Sequence, residues 1–133
     1  MPTCGMQKNF IKWLPVFLWA AVIFVLSSIE QVVVSEFLIW DFLAKKIAHV
    51  SEFAILFAVI FRATGGKWPQ TFLLTMAYAV SDEIHQSFVP GRTAALYDFG
   101  FDLTGANIAA YLIWKLKPRL TWFTPHRRNK QSI

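Results

Sequence analysis

Four long apolar runs, separated by short polar segments, constrain this chain more than any other feature. The runs cover residues 10–29, 45–62, 68–88 and 98–114 of a 133-residue sequence. A helix needs about 20 apolar residues to cross a hydrocarbon core of roughly 30 Å. Within hydrocarbon the backbone must satisfy its own hydrogen bonds, which favours helices. The sequence therefore predicts an all-α fold, a four-helix transmembrane bundle.

The rest of the chain is divided around these runs. Residues 30–41 are mixed in polarity and too short to span, so they predict a short interfacial helix in the first outer loop. We expect a transmembrane domain over residues 1–116 and a basic cytoplasmic tail over 117–133. No cleavage site follows the first run, which is interpreted as a retained helix.

The basic residues predict the orientation of the bundle. Ten of the 13 lysines and arginines fall on one side and three on the other. The positive-inside rule places both termini of the expected multi-pass membrane protein on the cytoplasmic side. The ten are Lys8, Lys12, Arg62, Lys67, Lys115, Lys117, Arg119, Arg127, Arg128 and Lys130, and the three are Lys45, Lys46 and Arg92. Because the basic residues flank apolar runs, the net charge of +5 does not indicate nucleic-acid binding.

The acidic residues gather at the opposite, outer end. All eight map to outer loops or to the outer halves of helices, namely Glu30, Glu36, Asp41, Glu52, Asp82, Glu83, Asp98 and Asp102. Several share helix faces with other polar residues. The faces are formed by Lys45, His49 and Glu52, by Asp82, His85 and Gln86, and by Asp98 and Asp102. We expect these three faces to converge on one outward-open pocket.

Ionised groups inside a membrane are costly and indicate a functional site. We assign His49, Glu52, Asp82, Glu83 and His85 as candidate catalytic acids and bases, and Lys46, Gln86, Arg92, Asp98 and Asp102 as candidate ligand-binding residues. A polar network that only fixes helix register is the structural alternative. No cofactor motif is evident. The histidines and carboxylates are also acceptable ligands for a divalent metal, without a strong spacing signature.

These residues resemble the motifs of a known family, the VanZ-like membrane proteins. The matching segments are Lys46-x-x-His49-x-x-Glu52-Phe53, Ser81-Asp82-Glu83-Ile84-His85-Gln86, Pro90-Gly91-Arg92, Asp98 and Asp102-x-x-Gly105-Ala106. Two positions depart from the family pattern: Ala109 replaces a frequent glycine, and Lys45 stands where many members have an acid. The resemblance implies a bacterial plasma-membrane protein. The family takes its name from a member linked to low-level resistance to teicoplanin, a lipid-tailed glycopeptide.

Three functional hypotheses follow. The first is that the pocket binds or modifies an anionic envelope lipid, a lipid-linked precursor or a lipophilic glycopeptide antibiotic, with membrane lipids as its partners. The second is a non-catalytic binding or structural protein of the cell envelope. The third is a small ion-coupled transporter, which would require homo-oligomerisation because no duplicated half is visible.

Overall fold

The protein consists of four helices, as seen in a computed structural model that describes residues 3–29, 38–92 and 96–116. They are α1 (Thr3–Ser28), α2 (Leu38–Ala63), α3 (Trp68–Gln86) and α4 (Leu96–Leu116). The described residues contain no strand. The all-α fold and the number of helices predicted from the sequence are therefore confirmed.

Two helices begin earlier than the apolar runs suggested. α1 starts at Thr3 rather than near residue 10, and α2 starts at Leu38 rather than near residue 45. Apolar runs end at charged side chains, whereas the hydrogen bonds of a helix continue through them. Residues 38–41 of the expected interfacial helix thus belong to α2. Residues 30–37 and the tail, 117–133, lie outside the described part, and the division into two segments stays a prediction.

The helices are joined by turns that need glycine. Between α2 and α3, Gly65 and Gly66 adopt φ values of 69° and 85°. After α3, Gly91 has φ 76° and the N–H of Arg92 donates to the carbonyl of Val89 at 3.1 Å. Pro followed by a positive-φ Gly is the pattern of a type II turn. This turn sets where Arg92 emerges beyond the end of α3.

Helix α2 lies at the centre of the bundle, because it contacts all three other helices and packs most extensively on α4. Phe53, Phe57 and Phe61 recur at every fourth position of α2 and are fully buried. The Phe57 ring packs edge-on against Phe72, with ring centres 4.8 Å apart. The second half of α2 is therefore apolar and packs in the core of the bundle. The polar side chains of α2 lie in its first half, at the other end of the bundle.

One segment is long and apolar enough, by length and composition, to cross a membrane. It is Phe10–Ser28 in α1, the single segment of this kind among the described residues. In α2, α3 and α4, polar and charged side chains interrupt the apolar runs. The transmembrane bundle and the orientation of its termini stay predictions.

Gly105 of α4 lies against the backbone of α2. A β-carbon added to Gly105 would overlap the carbonyl oxygen of Val50 and would lie 3.1 Å from the amide nitrogen of Ala54. Because a β-carbon does not fit against the Val50 oxygen, only glycine lets the two backbones approach this closely. The position of α4 on α2 therefore depends on the missing side chain.

Replacing Gly105 should separate these helices. We expect Gly105→Ala to lower the free energy of unfolding by about 1–3 kcal/mol, because the added methyl forces a backbone shift. The free energy is measured by SDS titration in mixed micelles. Gly100→Ala in the same helix is the matched control, because a β-carbon there meets nothing within 4 Å. The control should be neutral or stabilise by about 0.5–1 kcal/mol. Equal effects of the two changes would contradict the close contact.

Candidate functional site

The chemistry-bearing side chains gather at one end of the bundle. That end is formed by the last turn of α1, the first half of α2, the last turns of α3 and the start of α4. We call this set the polar cluster. Its members are Ser27, Ser28, Lys46, His49, Glu52, Asp82, Glu83, His85, Gln86, Arg92, Asp98 and Asp102.

Lys46 and Asp98 form the outermost connection between α2 and α4. The Lys46 ammonium pairs with Oδ1 of Asp98, and their side chains are only 11% and 12% exposed. The same ammonium lies over the rings of Phe42, Tyr97 and Phe101, 4.6–5.2 Å from their centres. Ring faces attract cations. Lys46 is thus held by its own protein, and its role in binding a ligand stays a prediction.

His49 and Asp102 form the next connection, one turn further along both helices. Nδ1 of His49 lies 3.0 Å from Oδ1 of Asp102, whose side chain is fully buried. If the imidazole is neutral and donates from Nδ1 to the carboxylate, its Nε2 carries the free lone pair. No described residue hydrogen-bonds to this Nε2. Asp102 therefore orients an imidazole that is able to accept a proton.

Asp82 of α3 bonds across to α1 rather than to α2 or α4. Its Oδ2 accepts a hydrogen bond from the Ser27 hydroxyl at 3.0 Å and one from the Gln86 amide at 2.7 Å. The amide also lies 3.2 Å from the Ser27 hydroxyl oxygen. All three side chains are buried. Asp82 and Gln86 thus share one face of α3, as predicted, and this face bonds to Ser27 of α1.

His85 also faces α1. Its Nε2 shares a 2.9 Å hydrogen bond with the hydroxyl of Ser28, and its ring stacks on Phe24 with centres 4.2 Å apart. The sequence interpretation missed Ser27 and Ser28 because they lie at the end of an apolar run without a motif. The signal available was the pair of serines at the depth of the acidic residues.

The remaining charged members of the polar cluster are Glu52, Glu83 and Arg92. The Glu52 carboxylate interacts electrostatically with His49, Asp82, Asp102 and Arg92. The Glu83 carboxylate interacts with charges on both sides as well, those of His49, Lys46, Asp82 and Asp102. The Arg92 guanidinium donates weakly from Nη2 to the Leu26 carbonyl, 3.5 Å away. Side chains from the three predicted faces thus lie at the same end of the bundle, and their convergence on one outward-open pocket stays a prediction.

Four buried polar atoms of the cluster have no hydrogen-bond partner among the described residues. They are Oδ1 of Asp82, Oε1 of Glu83, Oδ2 of Asp102 and Nε of Arg92. Leaving a buried polar group unpaired costs about 1–3 kcal/mol, and more when it is charged. Asp82 and Asp102 are only 3% and 0% exposed. Three acceptors and one donor are therefore available to a group outside the described residues.

The divalent metal considered from the sequence stays a prediction. Across residues 3–29, 38–92 and 96–116, no group of three or more His, Cys, Asp or Glu side chains has an arrangement that could hold a metal ion.

The connection from α1 to α3 is testable through Ser27. We expect Ser27→Ala to reduce the free energy of unfolding by about 1–3 kcal/mol, because the buried Asp82 carboxylate loses a donor. Ser51→Ala is the matched control, since its exposed hydroxyl bonds only to the Ile47 carbonyl of its own helix. The control should change stability by less than about 0.5 kcal/mol. SDS titration of both variants measures the difference, and a Ser27 variant as stable as the control would refute the connection.

Comparison with known proteins identifies the family. The family model described as VanZ/LLP1 matches residues 4–118, which include all four helices except the first residue of α1 and every member of the polar cluster. No curated protein and no solved structure matches the chain. The match extends over most of the sequence, so this chain belongs to the VanZ/LLP1 family.

Proposed function

We propose that the protein is a four-span plasma-membrane protein whose polar cluster binds the headgroup of a phosphate-bearing envelope lipid in the outer leaflet. Membership of the VanZ/LLP1 family suggests a membrane-associated protein related to antibiotic resistance. The lipid and its leaflet are proposals that go beyond that membership. They rest on the surface of the bundle, on the basic residues and on the unpartnered atoms of the cluster.

The surface of the bundle supports insertion into a membrane. Large apolar side chains are exposed on all four helices, among them Phe17 on α1, Ile47 on α2, Leu73 on α3 and Trp114 on α4. A soluble monomer rarely exposes so much contiguous apolar surface. Six members of the polar cluster, by contrast, are buried, namely Ser27, His49, Asp82, Gln86, Asp98 and Asp102. Such a distribution suits a bundle surrounded by lipid.

The observation that carries the proposal is the set of four unpartnered buried atoms. A network that served only to fix helix register would be expected to pair its own donors and acceptors. Here the hydrogen bonds of Asp82 and Asp102 use one carboxyl oxygen each, and the other oxygen stays unpaired. A bound polar group that pairs these atoms would remove the cost. A lipid headgroup can reach such a site while its acyl chains remain in the bilayer.

Arg92 is the residue best suited to the phosphate. Its Nε has no partner among the described residues, and its Nη2 makes only a long contact with the Leu26 carbonyl. A guanidinium binds phosphate oxygens through two parallel hydrogen bonds, and such charge-assisted bonds are the strong ones. The nearby His49–Asp102 pair offers a base to any ligand bound beside it.

The orientation is tested by cysteine labelling in cells, in a Cys4→Ser background. A cysteine introduced at Thr93 should react with a membrane-impermeant maleimide from outside. A cysteine at Gly66, in the turn at the opposite end, should react only after the membrane is permeabilised. The positive-inside rule sets this expectation. The reverse labelling pattern would overturn the assignment to the outer leaflet.

Lipid binding is tested on the purified chain in nanodiscs of mixed phospholipids. Arg92→Gln should lower the amount of lipid retained in native mass spectra about tenfold, because a charged hydrogen bond contributes about 1.5–3 kcal/mol. Arg62→Gln is the matched control, because Arg62 is an exposed arginine in the last turn of α2, at the far end of the bundle. The control should retain lipid as the unmodified chain does. Equal retention by all three proteins would refute the proposed function.

A further inference from the structure

We infer that the bound headgroup carries a primary ammonium beside its phosphate, and that Asp82, Glu83 and Asp102 hold this ammonium while Arg92 holds the phosphate. The inference rests on the proposed function and specifies its ligand as a lipid with a phosphoethanolamine-like headgroup. It follows from the charge of the cluster and from the kinds of atom left unpaired.

The charges of the cluster do not balance. Its ionisable acids are Glu52, Asp82, Glu83, Asp98 and Asp102, and its bases are Lys46, His49 and Arg92. Even with His49 protonated, two negative charges remain uncompensated. Burying an uncompensated charge is strongly unfavourable. A purely anionic headgroup would enlarge the excess. A zwitterionic phosphoethanolamine headgroup leaves the net charge unchanged and places its ammonium beside the carboxyl groups.

The unpaired atoms match the donors of an ammonium group. Three of the four are carboxyl oxygens, one each from Asp82, Glu83 and Asp102. A primary ammonium has three N–H donors and no acceptor. The fourth unpaired atom, Nε of Arg92, is a donor and suits a phosphate oxygen. A phosphoethanolamine group offers both kinds of partner a few bonds apart.

The three carboxyl groups come from the same end of two neighbouring helices, α3 and α4. Glu83 interacts electrostatically with Asp82 and with Asp102, and Asp102 interacts with Asp82. Like charges repel, so a cation shared among them is favoured. Asp82 is bonded to Ser27 of α1 through Oδ2 and Asp102 to His49 of α2 through Oδ1, which leaves one oxygen of each free for such a cation.

The described part of the protein does not supply that cation. Lys46 is paired with Asp98, and the bond of His49 goes to the other oxygen of Asp102. The Arg92 guanidinium donates to the backbone carbonyl of Leu26. In residues 3–29, 38–92 and 96–116, no donor pairs with the three free oxygens. The partner is therefore expected to come from the ligand.

The number of N–H donors gives a direct test. The full chain is reconstituted with phosphatidylethanolamine, its mono- and dimethylated derivatives, phosphatidylcholine and phosphatidylglycerol, all with the same acyl chains. Native mass spectrometry measures the lipid retained. Methylation removes donors stepwise while the phosphate stays unchanged. We expect retention to fall along the series, with phosphatidylethanolamine about tenfold or more above phosphatidylcholine.

Variants that remove a carboxylate test whether the polar cluster causes the preference for phosphatidylethanolamine. Glu83→Gln should reduce the preference for phosphatidylethanolamine over phosphatidylcholine severalfold, and Asp102→Asn should do the same. Glu83 is partly exposed, so its variant should fold even if the change at the fully buried Asp102 does not. Asp41→Asn is the matched control, because Asp41 lies in the first turn of α2, more than one turn before Lys46, the first cluster residue of that helix. Its preference should be unchanged.

The outcomes separate this inference from the proposed function. The protein could retain phosphatidylglycerol or phosphatidylcholine as well as phosphatidylethanolamine, or better, with retention still dependent on Arg92. That result would refute the binding of an ammonium and leave the proposed lipid binding intact. A preference unchanged by Glu83→Gln would also overturn it. Retention that does not depend on Arg92 or on the headgroup would refute both.

Discussion

Close packing of α4 on α2 is the contact on which the polar end of the bundle depends. The side chain of aspartate is short, so Asp98 and Asp102 reach Lys46 and His49 only if the two helices lie very close together. Gly105, one turn beyond Asp102, permits this because its α-carbon lies directly against the backbone at Val50. The absence of one side chain thus makes a buried ion pair, Lys46–Asp98, and a buried hydrogen bond, His49–Asp102, geometrically available. Without them the carboxylates of α4 would be buried and unpaired, which is strongly unfavourable.

Much of the fold could be predicted from the sequence, and the limits have physical causes. The apolar runs indicated four helices, but helices continue past the charges that end an apolar run, so α1 and α2 begin earlier than expected. Helical periodicity brought the polar residues of each helix to one face. It could not show which faces meet, because that depends on helix packing. Asp82 therefore pairs with Ser27 of α1, a partner that no motif indicated.

The cluster combines two kinds of side chain that serve different purposes in our account. Ser27, Ser28, Lys46 and Asp98 are satisfied by neighbouring protein groups and connect the helices. Asp82, Glu83, Asp102 and Arg92 each retain an atom that no described residue pairs. The sequence indicated that these residues would lie at one end, but it could not separate the two kinds, because only coordinates reveal an unpaired oxygen. The unpaired atoms make ligand binding a better explanation of the cluster than register alone.

The central claim is that a lipid headgroup pairs those atoms. A crystal structure of the chain grown from a lipidic mesophase doped with phosphatidylethanolamine tests it most directly. The account predicts headgroup density at the polar cluster, with the ammonium within hydrogen-bond distance of Asp82, Glu83 and Asp102 and a phosphate oxygen at Arg92. Carboxyl oxygens that pair with one another or with ordered water, without headgroup density, would contradict it.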